Sequence, residues 1–292
     1  MSQNLQNSER PRLIVLPLTP VDGQAYNGLG LGIHFLLGNV VAVHTGLKEF
    51  WFGWRVKKIF PEQEKLLHYC RGEEDLQQIS DLASEQGIQY WLSGSYAQKK
   101  ETVSLELTLT EVGDVLNQSK RAFELQLSDQ VIGFRKAFLG WLDASGLPMS
   151  EDQATIALWA ENISQKGLDC MGRAMETTYV NFLSSAADSG LINLHWFDQA
   201  ISASPGSYLA WDVKGWALYK NKDYQAALNA FNAAIEINQK GLGALSGLMW
   251  CHIYANDVEN AVKYAIAKAD VRNESREKAR ASALNKVRKI FP

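Results

Sequence analysis

Apolar residues follow two periods up to residue 146, every second position and every third to fourth, and beyond it they recur at helical spacing alone. The run Arg12-Leu-Ile-Val-Leu-Pro-Leu18 is continuous and β-rich, ended by Pro17 and Pro20, which suits a buried strand. Residues 27–44 are long and apolar with few charges and predict a helix packed on a sheet. Residues 49–56, aromatic and β-branched, predict a second strand. Over 73–86, Leu76, Ile79, Leu82 and Ala83 recur at three and four, with Glu73, Glu74 and Asp75 in the first turn and Gly87 just beyond, the pattern of a capped amphipathic helix. Strands follow over 89–97, 102–110 and 115–127. The middle one alternates Val103, Leu105, Leu107 and Leu109 with polar residues, so one face is buried. Gly113-Asp114 supplies a turn, and a helix over 128–144 ends at Ser145-Gly146 before Pro148. The expected order is β-α-β-α-β-β-β-α, an α+β sheet domain over 12–146 behind a disordered polar tail at 1–11. An all-helical region covers 150–292.

That helical region repeats every 34 residues. In the unit starting at Tyr208, Trp211, Gly215, Ala227, Phe231 and Ala234 alternate large and small residues along two helices joined by the turn Asn221-Lys-Asp-Tyr. One period forward stand Leu245, Leu248 and Ala261; one period back stand Phe197, Ala200 and Pro205. These residues resemble the tetratricopeptide repeat. In that family small residues let two helices approach, large ones fill the gap between neighbouring hairpins, and proline ends the second helix. The resemblance implies an all-α solenoid of hairpins 174–207, 208–241 and 242–275, closed by a capping helix at 275–290. Lys214, Asn181, Asn193 and Lys268 depart from the pattern, so the outer repeats are degenerate. Residues 152–165 are read as a further partial hairpin.

The ninth residue of each hairpin is aromatic: Phe182, Trp216 and Trp250. The resemblance places that position on the concave groove where ligands of such repeats lie. Tyr219 and Ile253, three residues on, stand one turn along the same faces. An exposed line of large apolar residues marks an interaction surface, so the expected partner is a protein or peptide. Two other readings stay open: the groove filled from within by the last helix or the amino-terminal domain, or plain packing between repeats. The last helix carries Ala279, Ala283, Val287 and Ile290 at helical spacing.

The amino-terminal half carries a second resemblance. Leu-Ile-Val-Leu-Pro-Leu near the start, then a helix and strand, an amphipathic helix, Ile88-Gln-Tyr-Trp-Leu-Ser-Gly-Ser-Tyr96 and two hairpin strands are similar to the TolB amino-terminal-type domain, related to the curli-secretion fold, over about residues 12–127. That module is often fused to tetratricopeptide repeats in bacterial proteins and has no recognised catalytic set, which implies binding or assembly, self-association included. The stretch 57–72 is longer than the family's usual link.

Composition narrows the chemistry further. With 292 residues, 46% of them hydrophobic, the chain can bury two modest cores. A net charge of −3 steers it towards neither nucleic acid nor an anionic membrane. The first apolar run is too short for a signal peptide or membrane span, so a cytoplasmic protein without a transmembrane segment is expected. Cys70, Cys170 and Cys251 are far apart and odd in number, which argues against a disulfide framework or zinc site. His34 and His44 lack the spacing of metal ligands. No catalytic, metal or cofactor set emerges. Gly28-Leu-Gly-Leu-Gly32 follows a strand and opens a helix; its spacing fails the dinucleotide fingerprint, but Gly28, Gly30 and Gly32 offer backbone amides to an anion, or else allow tight packing. Trp51 and Trp54 beside Arg55, Lys57 and Lys58 read as an ordinary strand before a nucleic-acid platform. From Lys263 onward nine Lys or Arg face three acids, a local charge of +6 and the only hint of nucleic acid, although a charged face also keeps a terminal helix in solution. Two functions remain: a non-enzymatic adaptor or scaffold whose groove holds a partner, and a ligand-sensing regulator whose sheet domain binds a small anion and signals through the repeats.

Overall fold

The computed structural model describes residues 11–21, 28–44, 48–50, 73–85, 87–100, 102–113, 117–126, 132–147, 162–183 and 194–291. The chain divides into two compact units, Met1–Tyr26 with Ile33–Gln153, and Asn27–Gly32 with Ala154–Pro292. The expected tail at 1–11 (but for Pro11), the platform residues 51–58, the link 57–72 and residues 152–161 lie outside the described residues. Residues 162–164 are not helical.

In the first unit, β1 (Arg12–Val15), β2 (Thr19–Pro20), α1 (Leu29–His44, whose residues 29–32 belong to the second unit), β3 (Lys48–Phe50), α2 (Glu73–Glu85), β4 (Tyr90–Lys99), β5 (Thr102–Glu111), β6 (Asn117–Gln126) and α3 (Ile132–Ala144) follow in order. The sheet runs β3-β1-β4-β5-β6, with β2 also paired to β4. β1 is parallel to β3 and β4, whereas β4, β5 and β6 form an antiparallel meander. Parallel neighbours need a crossover, and α1 and α2 stand between those strands in the chain. The alternation along β5 sets its buried face: Val103, Leu105, Leu107 and Leu109 are buried, and Leu125 and Phe123 pair with the first two. Phe123 meets Phe134, Phe138 and Trp141 of α3, with ring centroids 5.5 to 6.1 Å away. The Trp141 indole N–H donates to Ser119 Oγ at 2.9 Å, which lets a tryptophan be buried without losing a hydrogen bond. Gly146, at φ 79°, ends α3 as expected. His34 of α1 is buried, and desolvation drives its pKa down to about 4 despite hydrogen bonds to the backbone at Leu16 and Val15.

The second unit is helical: α4 (Gln165–Leu183), α5 (Leu194–Ala203), α6 (Tyr208–Lys220), α7 (Tyr224–Ile237), α8 (Leu242–Tyr254), α9 (Val258–Val271) and α10 (Arg276–Ile290). Side-chain caps set most of the starts. Ser207, Asp223, Asp257 and Ser275 accept from the amides of Ala210, Ala226, Asn260 and Lys278, and each such cap contributes about 1 kcal/mol. α8 begins at Gly241, which has no side chain for this purpose; instead the Ala244 amide donates to the Tyr208 hydroxyl of the preceding hairpin at 3.0 Å. A Cβ on Gly241 would overlap the Tyr208 ring, so the glycine admits its own cap.

The first helix departs from the 34-residue register. α4 starts at Gln165 rather than 174, because Ser164 Oγ accepts from the Gly167 amide and Leu168, Met171 and Met175 extend a buried stripe at helical spacing. Ser164 also bonds Ser204 at the end of α5, which ties the hairpin together. Between the next two hairpins Phe231 is fully buried, its ring held between Gly215 and Gly247, where any Cβ would strike it. Lys214 is one of the residues that depart from the expected repeat pattern. Its amine pairs with Asp198 at 2.8 Å and lies 5.5 Å from the Trp211 ring centre, so its stem covers apolar surface while the charge reaches a partner. α10 packs on α8 and α9 just as α8 packs on α6 and α7, so it takes the place of a next first helix and caps the stack. Among the described residues no helix is long and apolar enough to cross a membrane.

Candidate interaction site

The helical phase of α6 and α8 sorts their residues into three groups. Small and aliphatic residues enter the cores between hairpins, Tyr208 and Gly241 manage the cap, and a set of aromatics stays half-covered near the turns. Trp216 lies edge-on to Phe231 and to Tyr219, with centroids 5.4 Å away in both cases. Tyr219 meets Tyr254 at 5.9 Å and Tyr224 at 5.7 Å, and Tyr224 stacks on Tyr254 at 4.9 Å with ring planes 8° apart. Trp250 approaches Tyr254 at 6.5 Å. The two tryptophans are thus joined through tyrosines into one continuous aromatic strip across two hairpins. Tyr254 is 39% exposed and forms its most open point.

The strip contains Trp216, Tyr219 and Trp250 of the expected residues and adds Tyr224 and Tyr254. Ile253 is absent from it. That side chain is fully buried in a core with Met249, Ala261, Ala265, Ala283 and Val287, beneath α9 and α10, and serves packing. The aromatic of α8 comes one residue later, at Tyr254, which stands one period after Lys220. Phe182 lies in α4, but its side chain is outside the described residues. A signal for Tyr254 and Tyr224 did exist, as aromatics at the two ends of helices that meet at the hairpin turns.

Burial raises the Tyr219 phenol above its usual range, with the neighbouring Tyr254 hydroxyl and a hydrogen bond to it adding to the effect. Such a phenol is a hydrogen-bond donor, not a base. Cys251 beneath the strip is buried, and desolvation lifts its thiol to about 12, which removes it as a nucleophile. Lys286 of α10 places its amine 5.7 Å from the Trp250 ring centre. Asp257 lies below the usual carboxyl range because the Asn260 side chain and amide donate to it, with His252 adding to this at 3.1 Å.

The glycine segment has a different character. The Gly28 amide donates to Asp169 Oδ1 of α4 at 2.7 Å, and Arg173 neutralises that carboxylate at 2.9 Å. A Cβ on Gly28 would overlap the backbone of Asp169, one on Gly32 the carbonyl of Leu168, and one on Gly172 the carbonyl of Gly28. Gly28 and Gly32 therefore let two backbones touch, with Gly30 between them in the first turn of α1, and a side-chain carboxylate occupies the place an external anion would take. Among the described residues no cluster of His, Cys, Asp or Glu could hold a metal ion.

No curated protein matches the chain. No family match supports the TolB amino-terminal-type resemblance of the sheet unit. Residues 208–240, the span of α6 and α7, match the family model of the tetratricopeptide repeat, a non-catalytic repeat that suggests protein-protein interaction. That hairpin, which carries Trp216, Tyr219 and Tyr224, is a tetratricopeptide repeat.

Proposed function

We propose that the chain is a non-enzymatic adaptor or scaffold, acting in the cytoplasm, whose repeat stack binds a peptide or helix of a partner protein. The observation that carries this is the continuous strip from Trp216 through the tyrosines to Trp250. Half-covered rings in contact are rigid, and large apolar surface with little entropy left to lose favours binding. The sheet domain over 12–146, by its TolB-type resemblance, contributes a second contact or an oligomer. A ligand-sensing role through Gly28, Gly30 and Gly32 loses its footing, since Asp169 already receives the first amide there.

Panning a random-peptide library against the full chain tests this reading. Enriched sequences are expected on the wild type and are expected to vanish on a Trp216→Ala, Tyr254→Ala variant whose far-ultraviolet circular dichroism is unchanged. No enrichment, or enrichment that survives in the variant, overturns it.

A further inference from the structure

We infer that β6 pairs antiparallel with β6 of a second copy of the chain, about a two-fold axis at Ala122, and so joins two sheets into one. This goes beyond the docking reading and identifies the surface of the oligomer proposed for the sheet domain; it requires nothing of the repeats.

β6 ends the sheet and, among the described residues, pairs with β5 alone. The N–H and C=O groups on its other side are a template for another strand. Proteins blunt such an edge by keeping it short, by proline or by a bulge. The opposite edge, β3, spans only Lys48–Phe50. β6 runs from Asn117 to Gln126 without proline, and its register against β5 is unbroken from end to end. What it does carry is charge, and the order of the charges selects the occupant.

On one face of β6 stand Lys120, Ala122 and Glu124, all exposed. Their β5 neighbours are Thr108, Glu106 and Ser104, so neither Lys120 nor Glu124 has a counter-charge directly opposite. Glu106 is diagonal to both, and among the described residues none of the three makes an ion pair. A two-fold axis perpendicular to the sheet keeps its faces continuous, so it must pass through a residue. Through Ala122 it sets Lys120 opposite Glu124 of the second copy, and Glu124 opposite Lys120 of that copy, with small alanines meeting at the centre. Arg121, which lies 5.6 Å from the centre of its own Phe123 ring, then comes opposite Phe123 of the second copy. Neighbouring axes do worse. Through Lys120, Arg121 or Glu124 a charge meets its own like, and through Phe123 both charges face the uncharged Gln126 and Ala122. A strand from another protein would have to supply this order of charges independently; a second copy has it by symmetry.

Sedimentation equilibrium of the full chain reads the association directly. A species of twice the 32.6 kDa chain mass is expected, in concentration-dependent equilibrium with monomer. Lys120→Glu and Glu124→Lys each turn two attractive pairs into two repulsive ones, and each is expected to weaken self-association about tenfold or more. An equimolar mixture of the two variants is expected to recover it, because the acidic edge of one then meets the basic edge of the other. Ala122→Cys is expected to cross-link under mild oxidation, whereas Gln118→Cys, far from the axis, and the wild type are not. A chain that stays monomeric at every concentration, its charged edge serving solubility alone, overturns the proposal. So does a dimer that neither charge reversal weakens, or one that the mixture fails to restore. Peptide selection on the repeats is expected to be unchanged in all these variants, so loss of self-association and loss of peptide binding are distinguishable.

Discussion

The grip of Gly215 and Gly247 on Phe231 can be tested by a double-mutant cycle, because the structure predicts a change of sign. Phe231 is fully buried, and its ring meets Trp216 edge-on at 5.4 Å. Phe231→Ala removes a whole buried ring and leaves a cavity, a loss of about 3–5 kcal/mol, of which about 1 kcal/mol belongs to the aromatic pair. Gly247→Ala alone has two opposed effects. Alanine favours a helix interior by about 1 kcal/mol, but its Cβ overlaps the ring, and overpacking of a well-filled site costs about 1–3 kcal/mol. The single variant should therefore be neutral to destabilised. Once the ring is gone the overlap is gone too, so in the Phe231→Ala background the same substitution should stabilise by about 1 kcal/mol. Urea unfolding of the full chain, followed by far-ultraviolet circular dichroism, measures all four corners. The helical unit is expected to show a coupling of at least about 1 kcal/mol. Strict additivity would mean that glycine at 247 is not there for the ring, and the account of how these hairpins stack would fail.

Two more outcomes follow from the packing. Tyr208→Phe keeps the ring and removes the acceptor for the Ala244 amide; leaving a buried donor unmade should cost about 1–2 kcal/mol, and hydrogen exchange at the start of α8 should rise. His34, with a folded pKa of about 4 against 6.5, binds its proton more readily in the unfolded chain. Stability is therefore complete above about pH 7 and falls as pH drops from 6.5 towards 4, by up to about 3 kcal/mol. His34→Leu should flatten the pH dependence of the urea midpoint in that window. An unchanged slope would show that the histidine is charged or exposed.

Much of this architecture was legible in local pattern. The alternation along β5, Gly146 at the end of α3, the Asp223 turn and the 34-residue recurrence of Trp211, Ala227 and Phe231 all act over a few residues or one helix face, so they survive in the sequence. The tryptophans of the strip were legible for the same reason. Tertiary structure alone decided which of two adjacent side chains, Ile253 or Tyr254, would be covered. A helix's own period leaves both near the border of its apolar face, and the arrival of α9 and α10 settles it. Tyr224 joined the strip only because the next hairpin brings Tyr254 against it. Likewise, Gly28 and Gly32 read as an anion loop or as packing residues until Asp169 and Leu168, far along the chain, supplied what lies against them. Local sequence sets period, caps and turns; contacts between residues distant in the chain determine what each face meets, and here that decided which aromatics stay partly exposed.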